Sequence, residues 1–375
     1  LLDAGHSVVL AIADPVRKRV EKSIGIIDDR FELQRREVYA SRRFTFLLKL
    51  PIGAPEFIVQ FLNNSLPELL AARDCLLRFL HSQPRLDVMI GKCLGLAEIQ
   101  EKWGFSVLDL AISPNAAKKS GRVPFQLSLL GRVIARTVLV AKGGKWFPSK
   151  TAKPMMSLGL WSQTLSDEGA ESGRFRACGF LSPPWPKNRA PLSDGLEEFL
   201  NDGEPPVAFV FGSQLYRFGV DRVIDIANYL AKRGGHRVVV AGVMDAPKSP
   251  VRNRDIFLAP FVNLDVLLPG CCAVVSHAGI GTIGSAIRSG IPSIMFPKLF
   301  DQPYNAKLVE RQGLGVALDS STDFNGNAIK DALEIVFDDA FLKNTREVSE
   351  KVNRESGTES VLRYVNELVE LRPDS

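Results

Sequence analysis

His277, Asp301, Gln302 and Asn305 crowd into one stretch, residues 274–306, which reads VVSHAGIGTIGSAIRSGIPSIMFPKLFDQPYNA. An apolar run ends at Ser276 and His277, passes Gly279 and Gly281 to Thr282, and continues as a helix to Ser289: strand, glycine turn, helix. Such a turn leaves backbone N–H groups unpaired at a helix N-terminus, where the macrodipole also favours negative charge, so a phosphate is the natural ligand. An imidazole at the strand end can donate to one phosphate oxygen while the turn N–H groups bind the others. By itself, a histidine in that place also fits a purely structural role. Downstream, the carboxylate of Asp301 accepts hydrogen bonds only and the carboxamide of Gln302 both donates and accepts, a pair suited to the vicinal hydroxyls of a sugar. Asp301 equally fits a helix N-cap. A second phosphate candidate is FVFGSQ, where a strand ends in Gly212-Ser213 and the serine offers a hydroxyl and an N–H.

Groups this far apart in sequence meet only if strands bring them to one edge. The second half of the chain predicts strands over 207–211, 237–241, 256–258, 273–275, 293–296 and 315–318, with helices over 220–232, 264–268, 303–312 and from 327 onward. Near-continuous apolar strands between helices indicate a parallel sheet covered on both faces. In a doubly wound sheet, ligands gather at the carboxyl ends of strands, where both glycine turns lie and could clamp one diphosphate. The first half predicts strands over 7–13, 86–90 and 107–112, helical patterns over 55–80 interrupted at Pro67, and a helix over 94–103; residues 18–50 give no consistent period. The proline-rich SPPWPKNRAP at 182–191 marks a domain boundary, dividing the chain into 1–185 and 186–375. The fold class is α/β, two doubly wound parallel-sheet domains. Gly279-x-Gly281-x-x-Gly284, with Asp301 about twenty residues on, also matches a dinucleotide fingerprint. That motif belongs to the first strand turn of its sheet, whereas here at least three strands precede it, so a nicotinamide-dependent oxidoreductase is the weaker reading.

The 375 residues are 45% hydrophobic and 24% charged, which excludes disordered and fibrous classes. A net charge of +5 is modest for this length and does not argue for nucleic acid. The five cysteines show no C-x-x-C pair and no zinc or disulfide spacing, so reduced thiols are expected. With no apolar run of membrane-spanning length and no signal-peptide pattern, a cytoplasmic location is expected. From Leu110 to Ser166 there is no acidic residue but nine basic ones, around FQLSLLGRVIARTVLVA. A helix there could rest peripherally on an anionic membrane or receive a lipid-like acceptor; it equally fits a core helix flanked by solvated loops.

Taken together, HAGIGTIGSAIRSGIPSIMFPKLFDQPYNA, the Gly-Ser after a strand, APF ahead of LLPGC, and LDVMIG followed by a helix resemble the UDP-glycosyltransferase family (glycosyltransferase family 1), in its bacterial sterol, rhamnosyl and macrolide form. The resemblance implies a GT-B fold of two Rossmann-like domains facing a cleft, with the acceptor on the 1–185 side and a nucleotide sugar, UDP- or dTDP-linked, held mainly by 186–375. Carried over by position, Ser213, His277, Gly279, Ile280, Gly281 and Thr282 would hold the diphosphate, Asp301 and Gln302 the sugar hydroxyls, and Ala259 to Val262 the nucleobase. Phe261 either packs near the base or is a core aromatic. Ser285 stands where many relatives carry a ribose-binding Glu or Gln. The implied reaction is metal-independent and inverting, moving a hexose to a hydroxyl of a small hydrophobic or lipid-like acceptor, without cofactor. No Asp-x-Asp occurs to suggest a metal. The family's catalytic histidine is expected upstream of Leu1, as is the first strand of that domain; His6 matches a structural position. Lys92 stands where relatives carry an orienting Asp, and Ala278 replaces the first glycine of the usual HGG. A nucleotide-sugar-binding protein without transferase activity is the alternative.

Overall fold

The computed structural model describes residues 12–13, 32–33, 66–82, 86–91, 96–111, 155–165, 175–181, 192–243, 254–298, 301–321 and 323–370. His6, Lys92, the segment 125–141 and the boundary at 182–191 lie outside them. In the N-terminal half, β1 (Ile12–Ala13) pairs in parallel with β2 (Glu32–Leu33). There follow α1 (Leu66–Ser82), β3 (Val88–Ile90), α2 (Leu96–Trp103), β4 (Ser106–Ala111), β5 (Met155–Gly159) and β6 (Phe175–Ala177). The sheet order is β3-β4-β5-β6, with β3 and β4 parallel. Helix α1 is described from Leu66, with Pro67 in that first turn, where its missing N–H is no loss; residues 55–65, the rest of the expected helical stretch, lie outside the described residues. Strands β5 and β6 were not expected from the sequence.

The second half runs α3 (Asp194–Asn201), β7 (Val207–Val210), α4 (Leu215–Phe218), α5 (Val220–Tyr229), β8 (Val238–Ala241), β9 (Ile256–Ala259), α6 (Leu264–Leu267), β10 (Ala273–Ser276), α7 (Ile280–Arg288), β11 (Ser293–Met295), α8 (Gln302–Arg311), β12 (Gly315–Ala317), α9 (Gly326–Val336), α10 (Asp339–Asn353) and α11 (Gly357–Glu370). Helix α5 closes in a π turn, Leu230–Gly234. The six strands are parallel in the order β12-β11-β10-β7-β8-β9. Successive residues feed opposite faces. Val207, Phe209, Val238, Val240, Ala273 and Val275 pack with Val223 and Ile226 of α5 and Ile329 and Leu333 of α9. Ala208, Val210, Val239, Ala241 and Val274 pack with Leu196 and Phe199 of α3 and Ala286 of α7. Burial on both faces explains why these strands read as unbroken apolar runs rather than alternating ones.

The chain groups into two compact units, one of residues 1–110, 120–157 and 362–375, the other of 111–119 and 158–361. The sequence divides differently from the proline-rich boundary: residues 158–185 group with the second unit, and the C-terminal residues return to the first. Among the described residues no helix is long and apolar enough to cross a membrane.

Candidate functional site

Counted from β7, the sheet of the second unit has strand order 3-2-1-4-5-6, and the direction of winding reverses between β7 and β10. The crevice outside such a switch point is where open α/β sheets bind ligands. The Gly212–Gln214 turn follows one of these two strands and the His277–Gly279 turn follows the other. The structure thus brings the Ser213 and His277 positions to adjacent strand ends. It also places Gly279-x-Gly281-x-x-Gly284 after the fourth strand rather than the first, which removes the geometric basis of the nicotinamide reading.

The turn is built with strain and restraint. Ala278 has φ 63°, in the left-handed region that L side chains enter at a cost of about 1–3 kcal/mol. It is held from both sides: its N–H donates to Ser276 Oγ at 3.2 Å, and its carbonyl accepts from Asn305 Nδ2 at 3.2 Å. Gly279 is the N-cap of α7, extended and with no side-chain cap, so the helix opens with N–H groups that no side chain has claimed. A Cβ on Gly279 would lie 2.6 Å from His277 Nε2, so the imidazole occupies the space that only glycine leaves. Ile280 is half-buried, Gly281 is exposed and Thr282 is buried.

Burial lowers the pKa of His277 from its ordinary value, against the opposing pull of the Asp301 carboxylate and the Val210 backbone carbonyl. Its Nδ1 is buried and has no hydrogen-bond partner among the described residues; Asn305 Oδ1 is in the same condition. Buried polar atoms left unpaired are uncommon in a native fold, so two beside one strained turn point to a ligand-facing site.

Asp301 occupies the N-cap position of α8 but does not cap it; its Oδ2 accepts from Asn305 Nδ2 at 2.8 Å. Asn305 therefore joins the turn to the carboxylate. The helix expected over 303–312 begins one residue earlier, at Gln302. That side chain is buried, with Oε1 accepting the Lys298 N–H at 2.9 Å, so that oxygen closes the loop instead of facing outward. Ser285 is buried and donates to Asp265 Oδ1 at 2.8 Å, which also receives Arg288 Nη2 at 2.8 Å. The Ser285 hydroxyl thus joins α7 to α6. Ala259 is fully buried at the end of β9, its carbonyl accepting from Gly242 and Val243. Val262 is half-buried, and Phe261 is 81% exposed, which rules out the core-aromatic alternative. Sequence reasoning missed the part played by Ser276 and Asn305 in holding the turn, because its signal is a hydrogen bond between elements.

Residues 237–371 match the family described as Erythromycin biosynthesis protein CIII-like, C-terminal domain. Over 181 residues the chain is 29% identical to O-mycaminosyltylonolide 6-deoxyallosyltransferase of Streptomyces fradiae, covering 48% of this chain and 42% of that protein. Over 129 residues it is 38% identical to glycosyltransferase GtfC of Amycolatopsis orientalis, covering 34% and 31%. The matched stretch spans less than half the length of these curated relatives. Among solved structures, the glycotransferase of kitacinnamycin superposes with a TM-score of 0.69 at 17% identity, over 98% of this chain and 92% of that one. The spinosyn rhamnosyltransferase SpnG, solved with thymidine diphosphate, superposes with 0.63 at 16%, over 97% and 93%. The fold they share with this chain is GT-B. The match to that family model is confined to residues 237–371, and there this chain is similar to the C-terminal domain of EryCIII-like proteins.

Proposed function

We propose that this chain transfers a sugar from a nucleoside diphosphate sugar to a hydroxyl of a small, largely apolar acceptor, with inversion and without a metal ion. In this reading 186–375 hold the donor and 1–185 the acceptor. The observation that carries it is the α7 N-terminus: uncapped N–H groups behind a strained turn, beside a desolvated imidazole with an unpaired nitrogen. Negative charge grows on the leaving diphosphate as the glycosidic bond breaks. Donors already aimed at that position stabilise the developing charge without reorganising, a term worth about 3–4 kcal/mol for one well-placed donor. Gly279, Ile280, Gly281, Thr282 and the Ser213 position surround the diphosphate in this reading, and His277 donates to it. Asp301, aligned by Asn305, receives sugar hydroxyls, and Gln302 keeps their loop closed. The exposed ring of Phe261 stacks beside the base, with Ala259 and Val262 framing it.

A thymidine nucleotide is supported by SpnG, a relative by fold solved with thymidine diphosphate and also with spinosyn aglycone. The apolar acceptor rests on that example and on the acid-free segment 110–166. Calorimetric titration of the full chain with dTDP and UDP tests the donor half. His277→Ala should weaken binding by about tenfold or more, and Asp301→Ala should weaken dTDP-sugar binding more than dTDP binding. Unchanged affinity in His277→Ala would remove the assignment. Product formation with a panel of polyketide aglycones tests transfer; tight donor binding with no transfer to any of them would leave a binding protein.

A further inference from the structure

Two cations meet on one pair of rings beside the switch point, and a third acts on one of them through its charge. Lys298, beyond the end of β11, places Nζ 4.0 Å from the Phe218 ring centroid. Arg222 of α5 lies 5.2 Å from the Phe324 ring centroid and donates to the Phe324 carbonyl at 2.7 Å. The Phe218 and Phe324 rings meet edge to face at 4.7 Å, so the two cations sit on one pair of rings. Arg217 precedes Phe218 in the chain. Burial first, then the charges of Arg222 and Arg217, push the Lys298 ammonium below its ordinary pKa. Among the described residues none of the three forms an ion pair with a carboxylate.

Gathering like charges and partly desolvating one of them is unfavourable unless an anion completes the set. The place is informative. Strand β10, which ends at Ser276 immediately before His277, lies between β11 and β7, and neighbouring strands are about 4.8 Å apart. Lys298 therefore reaches from one side of the His277 strand to a ring on the other. Its own N–H is held by Gln302, next to Asp301. The diphosphate already has the α7 N-terminus and His277, which leaves these cations for a different anion. Guanidinium forks and an ammonium together suit a carboxylate or a phosphate.

We propose that Arg217, Arg222 and Lys298 form a second oxyanion site, separate from the diphosphate turn, that receives a carboxylate or phosphate carried by the donor sugar or by the acceptor. The site itself stands without the functional reading above; only the source of its anion rests on that reading.

The test uses the full chain, with inorganic phosphate, UDP-glucose and UDP-glucuronate as probes in calorimetry. Phosphate binding should survive His277→Ala and fall about tenfold or more in the double variant Arg217→Gln, Lys298→Gln. The double variant should melt no lower than the parent, because repulsion is relieved. If the donor sugar carries the anion, UDP-glucuronate binds about tenfold tighter than UDP-glucose and the double variant erases the preference. If the two donors bind alike while phosphate still requires the cluster, the acceptor carries it. Phosphate binding that is unchanged in the double variant, or that falls as far in His277→Ala, overturns the proposal. Loss of nucleotide binding altogether, with cluster-dependent phosphate binding retained, would sink the donor reading and leave this site standing.

Discussion

His277 is held neutral by burial, and that state has two consequences of opposite sign. Its pKa lies below the ordinary 6.5, so in the free protein its contribution to stability is present above pH 6.5 and is lost as pH falls through the lower folded value. A bound diphosphate would favour the imidazolium, so nucleotide binding should take up a proton and tighten as pH falls toward the lowered pKa of the free protein. Calorimetry in buffers of different ionisation enthalpy reads that proton, and His277→Gln should abolish it. At the neighbouring residue, Ala278→Gly exchanges relief of left-handed strain for greater freedom of the unfolded chain, and should change stability by less than about 1 kcal/mol. Ala278→Val, β-branched at φ 63°, should cost more than about 2 kcal/mol in chemical denaturation. The residue types at 277, 279 and 301 were legible because glycine, imidazole and carboxylate carry their chemistry in their identity. The occupations of Gln302 and Ser285 were not. Each spends an oxygen on a partner chosen by packing, Lys298 N–H in one case and Asp265 in the other. The basic cluster was hidden for a related reason: Lys298 comes beside 217 and 222 only through the strand order.

Close packing between elements sets how α7 is seated. A Cβ on Gly284 would meet the Phe180 ring at 2.7 Å, and one on Gly357 would meet the Phe180 and Gly179 carbonyls at 2.5 and 2.7 Å. A ring can tilt but carbonyls fixed in the backbone cannot, so Gly357→Ala should destabilise more than Gly284→Ala, which should cost about 1–3 kcal/mol. Thermal melts of the two variants rank them; the reverse order would mean that α7 is the less yielding neighbour. The strands of the second unit were legible as VAFV, VVVA, IFLA and AVVS because both faces of the sheet are covered, so each strand shows an apolar run at every position. Strands β5 and β6 are not legible in the sequence because MMSLG and FRA are short and are set among residues without a clear period.

At the scale of the molecule, α11 begins with the second unit and ends with the first. Tyr364, Val365 and Leu368 are buried, and the Leu368 carbonyl accepts from Ser106 Oγ at 3.3 Å. Deleting residues 362–375 should therefore lower the melting of the first unit while dTDP continues to stabilise the second, giving two separated transitions where nucleotide moves only one. A deletion that abolished nucleotide stabilisation would show that the last helix supports the donor half instead. The three-layer αβα plan of the second unit was legible from its alternation, whereas this return of the chain was not, since nothing in an amphipathic helix names the sheet it joins.

The pairing of β7 with β10, Val207 beside Ala273, has a consequence in time. The two turns of the site are adjacent in space but separated in sequence by β8, β9 and their connections. Neither turn faces the other until that ladder closes, and closing a long loop is a slow entry in any folding sequence. Nucleotide recognition should accordingly emerge late during refolding, and a bound nucleotide should slow unfolding while leaving the refolding rate nearly unchanged.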